Sequence, residues 1–123
     1  MSELINPPEL PTPSGFSHAV KAGQAVYLAG QIGAGETVQE QFDSATASLL
    51  AALRAAGGAP HDLVSLQVFV TDVDEYRAAM GDLGEVWRRH FGRHYPAMGL
   101  FGVTRLFEPE AKLELMGVAV ISG

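Results

Sequence analysis

The chain has 123 residues, enough for one domain with its own core and too few for separate cofactor and substrate domains. With 47% hydrophobic and 18% charged residues it is expected to fold, and the absence of cysteine excludes disulfides, a thiolate nucleophile, iron–sulfur centres and cysteine zinc sites. The formal net charge of −6 sets up a field that repels polyanions, so nucleic acid is disfavoured as a partner.

The first segment, MSELINPPELPTPSG, lacks a basic region followed by an apolar run, and no run of about 18 uncharged apolar residues occurs anywhere. A cytoplasmic protein without a membrane partner is expected. Four of the seven prolines fall in the first thirteen residues, so residues 1–14 are expected to form an extended, irregular lead-in. HAVKAGQAVYLAGQ then predicts a hairpin of strands 17–21 and 25–30, turning at Ala22, Gly23 and Gln24. From 37 to 56, Val38, Phe42, Ala45, Leu49, Ala52, Leu53 and Ala56 recur at helical spacing, and Gly57-Gly58 ends the helix.

Val64, Leu66, Val68 and Val70 alternate with Ser65, Gln67, Phe69 and Thr71, which predicts a strand. A second helix is expected from about Asp74 as its N-cap, with Tyr76, Met80, Leu83, Trp87 and His90 or Phe91 facing inward. Pro96 breaks the pattern, and 98–103 and 112–121 are expected as two further strands joined by a loop around Glu108-Pro109. The order is β-β-α-β-α-β-β, and the economical arrangement is an α+β protomer with one sheet and both helices on one face. In the last strand Leu113, Leu115, Gly117 and Ala119 share one side while Met116, Val118 and Val120 share the other. Two apolar faces with helices for only one predict a homo-oligomer built around the second.

Chemical signals are sparse. Gly33 and Gly35 occupy two positions of a GxGxxG pattern, but the third falls on Val38, so a dinucleotide site is not expected. His90 and His94 are four apart, yet Gly92 and Pro96 interrupt the helix that would align them, and no metal is expected. None of the serines stands in a nucleophile elbow. The run WRRHFGRH, 87–94, holds Arg88, Arg89 and Arg93; it reads as a basic helix end or as an anion site. Glu114 lies inside the last strand between Leu113 and Leu115, where a carboxylate is costly unless it is paired or used. It reads equally as a general base or as half of an interfacial ion pair.

Four stretches in order, AGQI at 29–32, VFVTDVDEY at 68–76, YPA at 95–97 and KLELMGVAV at 112–120, resemble the RidA/YjgF reactive-intermediate deaminase family over nearly the whole chain. The resemblance implies a single domain with a chorismate-mutase-like fold, a mixed sheet, and a homotrimer with ligand pockets between subunits. Family members with the full site hydrolyse 2-imino or 2-enamino acids to 2-keto acids and ammonia without cofactors, and some relatives carry an older description as endoribonucleases or translation inhibitors. In the active branch YPA is followed by an arginine that grips the substrate carboxylate; here that slot is Met98. Phe16 stands for a tyrosine that contacts substrate, and Ala29 for a serine. Gly30 matches a backbone contact, Phe91 and Leu100 match pocket walls, and Glu114 matches the acid that positions water. Arg105 is no substitute for the lost arginine, because seven strand residues span roughly 23 Å and an odd step reverses the face. The resemblance therefore implies a pocket shifted toward an uncharged or less acidic ligand. One alternative is an ordinary 2-iminobutanoate/2-aminoacrylate deaminase in which Arg88, Arg89 or Arg93 of a neighbouring subunit supplies the charge. Another is an endoribonuclease-like translation inhibitor.

Overall fold

The computed structural model describes residues 2–122. Its elements are β1 (Ser2–Ile5), β2 (Ala19–Ala22), β3 (Ala25–Gln31), α1 (Val38–Ala55), β4 (Leu63–Val70), α2 (Val73–Ala78), α3 (Met80–Phe91), β5 (Ala97–Gly102) and β6 (Leu113–Val120). The strands form one sheet in the order β1-β2-β3-β6-β4-β5, antiparallel throughout except for the parallel β4–β5 pair. The expected hairpin, both helical regions and all five expected strands are present.

The differences have local causes. Ser2–Ile5 pairs with β2, so the lead-in contributes a sixth strand, and the irregular stretch is confined to the proline-rich residues that follow. The second helical region is capped by Asp72, whose carboxylate accepts from the Glu75 amide, not by Asp74. That region splits at Ala79, whose amide turns to the Tyr76 carbonyl, and Gly81 just beyond adds little helix propensity to carry the ladder through. Met80, expected inward, is consequently exposed. In β4 a bulge between Leu63 and Ser65 turns Val64 outward and leaves Leu63 buried in its place.

Helix α1 begins with a capping box: the Thr37 hydroxyl accepts from the Glu40 amide, and the Glu40 carboxylate accepts from the Thr37 amide. Every apolar position expected on its inner face is buried. Those side chains meet Val26, Leu28, Leu66, Val68, Leu113 and Leu115 from the sheet, so α1 and α3 share one side of it. The opposite side carries Tyr27, Phe101, Met116 and Val120, all exposed.

A polar staple joins α1 to α3. His90 Nε2 donates to Asp43 at 2.6 Å, and the Arg89 guanidinium lies 3.4 Å from the same carboxylate. The His90 hydrogen bond, with Arg89 behind it, holds the Asp43 carboxyl below its ordinary value of 3.8. A carboxyl with a depressed folded pKa adds stability above its unfolded pKa and loses that contribution as pH falls through the folded value. Asp43→Asn is therefore expected to lower Tm at neutral pH, and the gap from wild type should close as pH falls below 3.8 in thermal melts.

Candidate functional site

Glu114 is the second residue of β6 and sits opposite Phe69, which places it on the side of the sheet without helices. Its neighbour strand β3 shifts register between Leu28 and Gln31, a bulge that contains Ala29 and Gly30. The Glu114 carboxylate lies directly over Gly30, where a Cβ would overlap Oε2. Glycine permits that approach, and a larger residue would push the Glu114 side chain aside. Burial raises the Glu114 pKa above 4.5, and no cation or donor offsets it among the described residues. A raised carboxyl pKa moves the group toward the range in which a base both ionises and accepts a proton at neutral pH.

A cavity of about 480 Å3 opens in front of this carboxylate, with Phe16, Gly30, Ile32 and Phe107 among its lining residues. One wall is the proline-rich segment 11–14, fixed by a buried histidine. His18 Nε2 donates to the Pro11 carbonyl at 2.7 Å, Nδ1 accepts from Gln31 at 3.0 Å, and the His18 amide donates to Asn6 at 2.8 Å. The His18 ring also meets Phe16 edge-on at 5.4 Å. Both His18 and Phe107 escaped the sequence reading. A lone histidine before a strand carries no mark of burial, and Phe107 lies in a loop without periodicity.

The other candidate residues lie elsewhere. Met98, the second residue of β5, pairs with the buried Leu66 on the helix side of the sheet. It lines a cavity of about 200 Å3 with Phe42, Tyr76, Trp87, Arg88 and Tyr95. Leu100, one pair further along β5, lines a shallower hollow with Val73, Arg77 and Met80. Phe91 is buried and stacks on Trp87 at 4.2 Å. Ala29 is half-buried in the β3 bulge. Since β6 and β5 flank β4, and Glu114 stands opposite Phe69 while Met98 stands opposite Leu66, two strand spacings and three residues along the strand, together roughly 14 Å, separate Glu114 from Met98, and the two side chains leave opposite faces. One protomer thus gathers Phe16, Gly30 and Glu114 but not Met98, Leu100 or Phe91.

The basic run resolves into separate roles. Arg89 and His90 bind Asp43, and His94 Nε2 donates to the Leu63 carbonyl at 2.7 Å while its own carbonyl accepts from Trp87 Nε1. Arg93 follows α3 and is exposed, and Arg105 stands in the loop beyond the end of β5. Only Arg88 of these arginines lines the Met98 cavity. At the Gly33 turn a Cβ would collide with the Gln41 carbonyl oxygen of α1, so the glycine lets the turn pack against the helix, and the cavity beside it is lined by Glu108 and Glu110, which repel a phosphate.

One mixed sheet with helices on a single side, and a half-buried carboxylate above a strand bulge, define an α+β protomer of the chorismate-mutase-like type with cavities along its edges. The chain belongs to the RidA/YjgF family: residues 8–121 match the family model described as Endoribonuclease L-PSP. It is 28% identical to a 2-iminobutanoate/2-iminopropanoate deaminase of Dermatophagoides farinae, covering 96% of this chain and 95% of that protein. It is 32% identical to a RutC family protein of Pyrococcus horikoshii, over 86% of this chain and 88% of the relative. The crystal structure of Rv2704 from Mycobacterium tuberculosis, a member of the YjgF/YER057c/UK114 family, superposes with a TM-score of 0.84 at 28% identity, covering 98% of this chain and 100% of that one. No helix among the described residues is long and apolar enough to cross a membrane.

Proposed function

We propose that the chain is a single-domain, cytoplasmic homotrimer whose intersubunit pockets bind, and hydrolyse at a C=N bond, a ligand other than the usual small 2-imino acids. Glu114 over Gly30 carries this reading: a half-buried carboxylate without an ion pair, facing an open cavity, is placed to activate water. Phe16 supplies an apolar wall. Met98, Leu100 and the ring system around Phe91 and Trp87 form the facing wall, brought by a neighbouring protomer to complete the pocket. Ala29 and Phe16 give the ligand no hydroxyl partner, and Met98 gives it no charge. Water activated by Glu114 adds to the C=N carbon and its proton passes through the carboxylate to nitrogen, giving a carbinolamine; the carboxylate then carries the hydroxyl proton to nitrogen as the C–N bond breaks, which releases ammonia and a carbonyl product. No cofactor is required.

The test is to generate 2-aminoacrylate or 2-iminobutanoate in situ and follow its loss. Slow turnover supports the reading, whereas acceleration within about tenfold of an arginine-bearing relative overturns it. The ordinary 2-iminobutanoate/2-aminoacrylate deaminase is the second reading, and the observation in its favour is Arg88 beside Met98. The ribonuclease reading rests on the family description alone and works against a net charge of −6.

The trimer reading rests on the uncovered apolar face. At micromolar concentration, light scattering is expected to give three times the 13.0 kDa chain mass. Val118→Lys, which sets an ammonium amid that face, should drop the mass to that of one chain.

A further inference from the structure

The cavity that holds Met98 has a composition of its own. Four aromatic residues, Phe42, Tyr76, Trp87 and Tyr95, contribute to its lining, and Arg88 is its only charged residue. Trp87 and Tyr95 lie parallel, 5° apart with centroids at 6.3 Å. Arg88 makes no ion pair among the described residues, in contrast to Arg89 one position on. Gly84, one helical turn before it, leaves the space across which the guanidinium folds: Arg88 Nη1 lies 3.4 Å from where a Cβ of that residue would stand. An exposed, unpaired guanidinium at the rim of an aromatic hollow matches one ligand chemistry, an anion attached to a flat apolar body.

Size narrows the class. An apolar cavity of about 150 Å3 binds benzene. The present cavity, about 200 Å3, admits one six-membered ring with a short acidic arm. A three- or four-carbon imino acid would leave most of the aromatic wall unfilled.

We propose that this cavity is the binding site of a small carboxylic acid bearing a planar ring, the ring seated among Phe42, Tyr76, Trp87 and Tyr95 and the carboxylate on Arg88. The inference rests on the reading that this edge of the protomer belongs to the ligand pocket, and it names the ligand class. The carboxylate grip lost from β5 at Met98 is supplied from α3, and the rings select a bulkier acid than the family's small substrates.

Trp87 is the single tryptophan of the chain, so its fluorescence reports on this cavity alone. The experiment titrates the full chain with phenylacetate, with 2-phenylethanol as the same ring without charge, and with butanoate as the acid without a ring. Phenylacetate is expected to give a saturable change with Kd on the order of 1 mM or tighter. Both comparison ligands should bind at least about tenfold more weakly, the factor expected for one charge-assisted hydrogen bond or a lost ring contact. Arg88→Gln should bring phenylacetate down to the level of 2-phenylethanol, and Arg88→Lys should fall between. Arg88 is exposed, and unchanged circular dichroism will show that both variants fold. No saturable response, equal binding of the acid and the alcohol, or wild-type affinity in Arg88→Gln overturns the proposal; the first of these is also expected if a neighbouring copy fills the cavity. The readout is binding and not turnover, so failure to hydrolyse any imine would overturn the proposed reaction and leave this site standing.

Discussion

Glu114→Gln is expected to lower imine hydrolysis by about 10²- to 10³-fold, the loss typical of a positioned general base, while leaving the fold intact. Glutamine keeps the shape over Gly30, and with it the cavity wall, but cannot take a proton from water. The pH profile separates this role from a structural one. Glu114 acts as a base only when ionised, so the wild-type rate should rise with pH through a value above 4.5 and then level off. The variant should lose that limb. Stability moves the other way. A carboxyl whose folded pKa is raised contributes stability below its unfolded pKa and loses it as pH rises through the folded value. Ionised Glu114 is thus a cost at neutral pH, and Glu114→Gln should melt at or above the wild-type temperature there. A variant that lost both activity and Tm would instead mark Glu114 as a structural partner across the subunit interface.

How much of this was legible in the sequence varies with the scale of the signal. The helices and central strands announced themselves because each buries one face, and that burial imposes a period on the residues. β1 did not, since SELI is four residues at a sheet edge and only Ile5 reaches the core. The break at Ala79 was hidden because the apolar spacing of Tyr76, Leu83, Trp87 and Phe91 runs across it unchanged. At the candidate site, Glu114 stood out as a charge inside an apolar strand. The environment of Met98 did not, because it depends on a parallel β4–β5 pairing that sets the start of β5 below α3, a relation between segments some thirty residues apart. That pairing singles out Arg88 from Arg89 and Arg93, which the sequence presents as equivalent. His90 and His94 likewise looked like a pair and serve different partners, one a helix and the other a strand.

Met98→Arg is expected to raise kcat/KM for 2-iminobutanoate by about 10- to 100-fold, the return of one or two charge-assisted hydrogen bonds to the substrate carboxylate at roughly 1.5–3 kcal/mol each. Most of the gain should be in KM, because the carboxylate carries the same charge in substrate and transition state and is bound equally in both. The site can accept the change: Met98 is half-exposed and unbranched, so the arginine stem can follow its path and place the guanidinium at the rim without overpacking the core. Two competing effects sit in the same cavity. Arg88 is a like charge whose repulsion turns the new side chain outward, and Trp87 and Tyr95 offer their faces to hold it by cation–π contact. The double variant Met98→Arg with Arg88→Gln distinguishes them. A larger gain than in the single variant means that repulsion limits the grip, and an equal gain means that the new arginine works alone. If neither variant gains, the missing charge is not what separates this chain from the small-substrate deaminases. The difference then lies in Phe16 and Ala29, where a ring without its hydroxyl and a methyl in place of a serine leave the substrate's polar atoms without partners.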